Sequence, residues 1–171
     1  MTYKNFEDLP VWQDSVQLSV KIFEVTRNQA FKGQGDLANQ IQRAGLSIPN
    51  NIAEGFERGT TPELLQFLYY AKGSAGEVRS ICHVIERIQV FDPLKSQIID
   101  LRSAALSISK QLGAWAFSLQ ESDIKGSRHL TEKSLQSYKQ DKQASRFLTE
   151  LREQHEKRLH EILEERKKSK S

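Results

Sequence analysis

A chain of 171 residues with 37% hydrophobic and 27% charged residues suits one domain with an appendage, and it excludes disorder along the whole length. Its single cysteine, Cys82, excludes an intrachain disulfide framework and fits a reducing compartment. No stretch approaches the roughly 18 apolar residues of a membrane span, and MTYKNFEDLPVW lacks a leader's apolar run, so a cytoplasmic protein with no membrane partner is expected. The net charge is +3, and all of the excess falls after residue 117: residues 1–117 hold 12 basic and 12 acidic side chains.

Apolar residues recur at steps of three and four, and few windows alternate with a period of two, which predicts an all-α chain. Four helices are expected, at about 8–27, 36–57, 62–89 and 93–120. On the first, Leu9, Trp12, Val16, Val20 and Phe23 cluster on one side at 100° per residue, and Val11, Leu18, Ile22 and Val25 on the other. A peripheral helix needs one apolar face. Two imply that a second is covered, most simply by another copy of the chain. Val11, Leu18, Ile22 and Val25 are the predicted oligomer interface.

The turn NQAFKGQGD (28–36) leads to a second helix that contains SIPNNIAEGFERG (47–59). If Pro49 began a helix, Ile48 would be its N-cap, and Ile is among the poorest caps. The steps Ile41, Ala44, Ile48, Ile52 and Phe56 run straight through, so one helix with a local kink at Pro49 is predicted, eased by Gly45. Gln40, Arg43, Ser47, Asn51, Glu54 and Arg58 form a polar stripe beside the apolar one. This stripe reads either as a ligand- or nucleic-acid-contacting face or as structural pairing, and the second is favoured: Glu54 and Arg58 stand in the favourable order for an i,i+4 ion pair, and Asn51 and Glu54 can satisfy groups freed by the kink.

Thr61, Pro62 and Glu63 read as N-cap, first helical position and first-turn acid of the third helix. Its apolar stripe includes Cys82, read as a small core residue. KGSAGE (72–77) is a poor helix-forming run, and close helix packing would explain its small residues. Asp92 and Pro93 repeat the start signal. The fourth helix carries a heptad seam from Ile98 to Leu119, which suits the shallow crossing of a helix bundle. Residues 121–171 differ: without a proline and rich in Glu, Lys, Arg and Gln, they read as a charged, partly helical extension of a 1–120 bundle domain, with a basic tip.

FEDLPVWQDS, QIQRAGLSIPNNIAEGFERG and FLYYAKGSAGEV closely resemble the ribosomal RNA intervening-sequence proteins (the 23S rRNA intervening-sequence, S23-like family). The accessory variability determinants of diversity-generating retroelements are related to these. The resemblance covers about residues 4–120. It implies an antiparallel up-down four-helix bundle that assembles as a ring-like homopentamer. In the retroelement relatives, such a pentamer binds nucleic acid and a reverse transcriptase. The residues matching the family motif, Ser47, Pro49, Asn51, Glu54, Gly55, Gly73 and Ser74, read as structural. Gln42, Glu57 and Ala75 depart from the family pattern, where a second basic residue, no added acid and a leucine are usual.

No phosphate-cradling GxxxxGK[ST] occurs. His155 and His160 lie five apart, off one helical face, so no metal is expected. Cys82 and His83 are adjacent in a helix and diverge by about 100°, which prevents a nucleophile–base pair. The chain is expected to have no catalytic residues and no cofactor. The first function class is a homo-oligomeric module binding RNA or DNA, with Arg43, Arg58, Lys72, Arg79, Lys167, Lys168 and Lys170 as candidate phosphate contacts and a reverse transcriptase as candidate protein partner. The alternative is an interaction scaffold whose C-terminal helix captures a partner protein.

Overall fold

The computed structural model describes residues 3–121. Within them lie four α-helices and no strands: α1 (Pro10–Thr26), α2 (Leu37–Glu57), α3 (Thr61–Ile85) and α4 (Lys95–Gln120), with short 3-10 turns at Phe6–Asp8, Gln29–Phe31 and Gln89–Leu94. The predicted extension, with Lys167, Lys168 and Lys170, lies outside the described residues.

Each helix packs on two others, α1 on α2 and α4, and α3 on α2 and α4. The period-3.6 stripes of all four converge on one core, where Ile22, Ile48, Leu64, Ile85, Ile98 and Leu112 are fully buried. Removing such a side chain from water contributes about 1.5–3 kcal/mol. The α1–α2 and α3–α4 connections meet through Phe31 and Phe91, whose ring centroids are 4.7 Å apart.

Two helix starts differ from expectation. Thr60, not Thr61, is the N-cap of α3: its hydroxyl accepts from the Glu63 amide at 3.4 Å and donates to the Glu63 carboxylate at 2.6 Å. Thr61 is buried instead, and its hydroxyl has no partner. Pro93 does not start α4. It sits in the 3-10 turn that buries Phe91 and Leu94, and α4 follows at Lys95.

Pro49 lies inside α2, which continues through it from Leu37 to Glu57. A proline there removes the N–H that would bond the Gly45 carbonyl. Ser19 on α1 supplies a substitute: its hydroxyl lies 3.0 Å from the Gly45 oxygen and 2.9 Å from its own helix's Ser15 oxygen, a donor shared between the two. Gly45 also admits α1 closely, because a Cβ there would fall 2.7 Å from Ile22 Cδ1. Ser19→Ala therefore strands a buried carbonyl and should cost about 1–3 kcal/mol. In a Pro49→Ala background, where residue 49 regains its N–H, the same change should cost roughly 1 kcal/mol less. Urea unfolding of the four chains measures that coupling; equal costs in both backgrounds would show that Ser19 does not serve the proline.

Candidate nucleic-acid interface

The structure separates the predicted cations into two environments. The first is a groove of about 730 Å³ over α2 and α3, whose walls include Asp36, Gln40, Arg43, Asn51, Glu54 and Glu77. Its floor is tied across the helices: the Ser74 hydroxyl donates to the Ser47 hydroxyl at 2.9 Å, and the Asn51 amide donates to the Ser47 carbonyl at 2.7 Å and hydroxyl at 2.9 Å. The motif residues Ser47, Asn51 and Ser74 thus form one α2–α3 link. Arg43 shares this groove with three carboxylates, an unfavourable setting for a phosphate.

Arg58 is engaged elsewhere. Its guanidinium donates to Glu54 at 2.7 Å, lies 3.7 Å from Glu63, and stands over the Phe67 ring at 5.2 Å from the centroid. The hydrogen bond to Glu54, and then the fields of Glu54 and Glu63, hold its pKa above the ordinary value. This arrangement fastens the end of α2 to the start of α3. Gly55 is the point of closest approach, since a Cβ there would lie 2.6 Å from Phe67 Cβ. Gly73 and Gly76, read from sequence as packing glycines, have nothing within 4 Å of an added Cβ. Both face open space, because the buried member of that run is Ala75.

The second environment is the flank of α3 that runs beside α4. Three contacts fix its register: Gln120 donates to the Tyr69 hydroxyl at 3.0 Å, the Lys72 ammonium lies 3.5 Å from a Cβ placed on Gly113, and Arg102 donates to Glu86 at 2.6 Å. Steps of three and four put Tyr69, Lys72, Gly76, Arg79, His83 and Glu86 on one row of α3. The same spacing puts Arg102, Leu106, Gly113, Phe117 and Gln120 on the facing row of α4, with Lys110 one turn before Gly113 and Ala114. Lys72, Arg79 and Lys110 form no ion pair among the described residues. Of the carboxylates along this face, Glu86 is already held by Arg102, and Glu121 caps the end of α4 beside Gln120. Two of the predicted contacts, Lys72 and Arg79, therefore come together with a third cation, Lys110, that sequence reasoning missed. Its signal is tertiary, for only the antiparallel pairing of α3 with α4, Tyr69 against Gln120 and Glu86 against Arg102, sets it level with Arg79.

A sequence profile of the 23S rRNA-intervening sequence proteins matches residues 7–114. The chain belongs to that family. The match spans all of α1, α2 and α3 and most of α4. A crystal structure of a protein of unknown function from the S23 ribosomal protein family of Bacteroides thetaiotaomicron, at 1.70 Å, shares the fold with a TM-score of 0.57 and 20% identity, covering 62% of this chain and 97% of that one. No curated protein matches.

The predicted oligomer face of this family member needs correction. Val11, Leu18, Ile22 and Val25 are 0–9% exposed in the single chain, because this row of α1 carries the small Ser15 and Ser19 and closes onto α2 and the core. Ser15 donates within the helix to the Val11 carbonyl at 2.5 Å, and the Ser19 hydroxyl is shared between the Ser15 carbonyl and that of Gly45 on α2. The face left over is the opposite one. Trp12, Val16, Val20 and Phe23, with Leu46 and Pro49 of α2, line a mainly apolar groove of about 340 Å³, and Val20 is 51% exposed.

Cys82 lies in the core, and its thiol is pushed up to about 12, first by burial and then by the Glu86 charge, with Arg102 opposing. The unfolded thiol ionises near 9.0. Stability from this group is thus complete below pH 9 and is lost as pH rises from there toward 12. In the native protein the thiol should resist alkylation at pH 8–9 and react within the dead time once unfolded, an assay that a thiol-specific chromophore reads directly.

Among the described residues no group of three or more His, Cys, Asp or Glu could hold a metal. No helix among them is long and apolar enough to cross a membrane.

Proposed function

We propose that this chain is a non-enzymatic nucleic-acid-binding module that works as a homopentamer of antiparallel four-helix bundles, with a reverse transcriptase as its protein partner. The observation that carries the binding reading is the α3–α4 face, where Lys72, Arg79 and Lys110 form no ion pair among the described residues, whereas Arg43 shares the α2–α3 groove with three carboxylates. Repeated around a ring, three cations per subunit become a multivalent phosphate surface. The antiparallel arrangement is supported by the pairing order. Thr26 meets Gln42 and Ser19 meets Gly45; Ser47 meets Ser74 and Gly55 meets Phe67; Glu86 meets Arg102 and Tyr69 meets Gln120. The apolar groove of α1 and α2 supports assembly, and the number five follows from the family resemblance.

The test is fluorescence anisotropy with a labelled structured RNA at two salt concentrations. Affinity should fall steeply with salt, with a log–log slope of about −0.7 to −0.9 per phosphate neutralised. Reversing Lys72, Arg79 and Lys110 to glutamate should abolish binding, and Arg43→Glu should leave it nearly intact. Unchanged anisotropy at micromolar protein and low salt would overturn the reading.

A further inference from the structure

We infer that the α3–α4 face takes single-stranded nucleic acid, with unpaired bases stacking on Tyr69 and Phe117 while Lys72, Arg79 and Lys110 follow the backbone. This inference rests on the nucleic-acid reading and names the form of nucleic acid bound. Two exposed aromatic residues stand at one end of the cationic row. Phe117 is the most exposed large hydrophobic residue described, at 64%, and Tyr69 is 47% exposed. Neither ring packs against another aromatic among the described residues. Both sit on the last turns of α4 or against them. Gln120 holds the Tyr69 hydroxyl at 3.0 Å, and Phe117 lies one turn before Gln120 on the same row.

The order along the face is what points to a strand with unstacked bases. From Tyr69 to Arg79 the α3 row rises about 15 Å, room for a few nucleotides. Its middle is low, because Gly76 and Gly113 present no bulk and Lys72 extends over Gly113. A backbone can lie there between Lys72, Arg79 and Lys110. A base at the aromatic end has a ring plane to stack on, and stacking tolerates any base because each has a π-face. A duplex would offer the same phosphates but no unpaired base, so the two rings would contribute nothing to it. Glu121, beside Gln120, keeps phosphates off the ring end and favours a base there. A folded protein partner could also use two exposed rings. The unpaired cations beside them favour a polyanion instead.

The experiment compares a fluorescein-labelled twelve-nucleotide oligo(U) with a twenty-base-pair RNA duplex, using the full chain. Wild type should bind the single strand more tightly. Phe117→Ala and Tyr69→Ala should each weaken it by roughly five- to a hundredfold with little change in the salt slope, and leave the duplex unchanged. Phe117→Trp should restore binding, and Phe117→Leu, apolar but without a stacking face, should not. Thermal melts check that each variant folds. If the chain binds duplex as well as single strand and the ring substitutions alter neither, stacking is wrong while nucleic-acid binding survives. Stacking is equally wrong if Phe117→Leu binds as wild type. If neither probe binds at low salt, both readings fall together.

Discussion

Gly55→Ala should lower the unfolding free energy by about 2–3 kcal/mol and the melting temperature by roughly 10 °C, whereas Gly73→Ala should raise stability by up to about 1 kcal/mol. The two glycines lie in helix interiors, and their sequence neighbourhoods give no reason to rank them. Packing does. At Gly55 the added carbon would sit 2.6 Å from Phe67 Cβ, 3.3 Å from Leu64 Cδ1 and 3.4 Å from the Leu64 carbonyl. A Cβ is fixed to its backbone and cannot rotate away, so α2 and α3 must move apart where Arg58 and Glu63 fasten them. At Gly73 nothing lies within 4 Å, and only the gain in helix propensity remains. Gly45 falls between the two: its 2.7 Å neighbour is the end of the Ile22 side chain, which can change rotamer, though only inside a filled core. Differential scanning calorimetry of the three single variants orders them. A melting temperature unchanged by Gly55→Ala would mean that α2 and α3 are not held at this separation.

That ranking also marks how far the sequence reaches. The steps Ile41, Ala44, Ile48 and Ile52 carried α2 through Pro49, and all four side chains are buried. What remained illegible was the third dimension. The two apolar faces of α1 are plain in the sequence, but periodicity gives only angles around a helix. Which face turns inward depends on what the neighbours present. Here Gly45 opens a slot for Ile22, and the small Ser15 and Ser19 let α1 close in, so the Val11–Val25 row went to the core. KGSAGE misled for the same reason. A run of small residues permits close packing, yet only Ala75 is fully buried; Ser74 bonds across to Ser47, and both glycines face open space. At the start of α3, two adjacent threonines before a proline can each be the cap, and the chain uses the first. As for the candidate interface, Lys72 and Arg79 stand seven apart and share a row on any helix. Tyr69, three residues before Lys72, shares it too; Lys110 and Phe117 join them only once α3 is laid beside α4, and no local signal announces that.

Val20→Asp should turn the proposed assembly into a folded monomer, and Leu18→Asp, two positions away, should abolish folding. The contrast follows from the two faces of α1. Val20 is 51% exposed in the single chain, so a carboxylate there stays hydrated in the monomer. It becomes costly only if a second copy covers the groove of Trp12, Val16, Val20 and Phe23, where an unpaired buried charge weakens association by several kcal/mol, about a thousandfold or more. Leu18 is 1% exposed, and a charge in its place has no hydrated alternative except unfolding. Native mass spectrometry gives the subunit count and circular dichroism the fold. Wild type should be oligomeric, and the Val20→Asp chain monomeric with helical content kept and a melt no longer dependent on concentration. Loss of assembly also predicts a functional effect: a monomer offers one cationic row to a nucleic acid instead of several, so its salt slope should fall with the number of phosphates it neutralises. If the Val20→Asp chain stays assembled, the groove is not the contact between copies. If wild type is itself a stable monomer at cellular concentration, this apolar face has some other partner, and the multivalent surface goes with the ring.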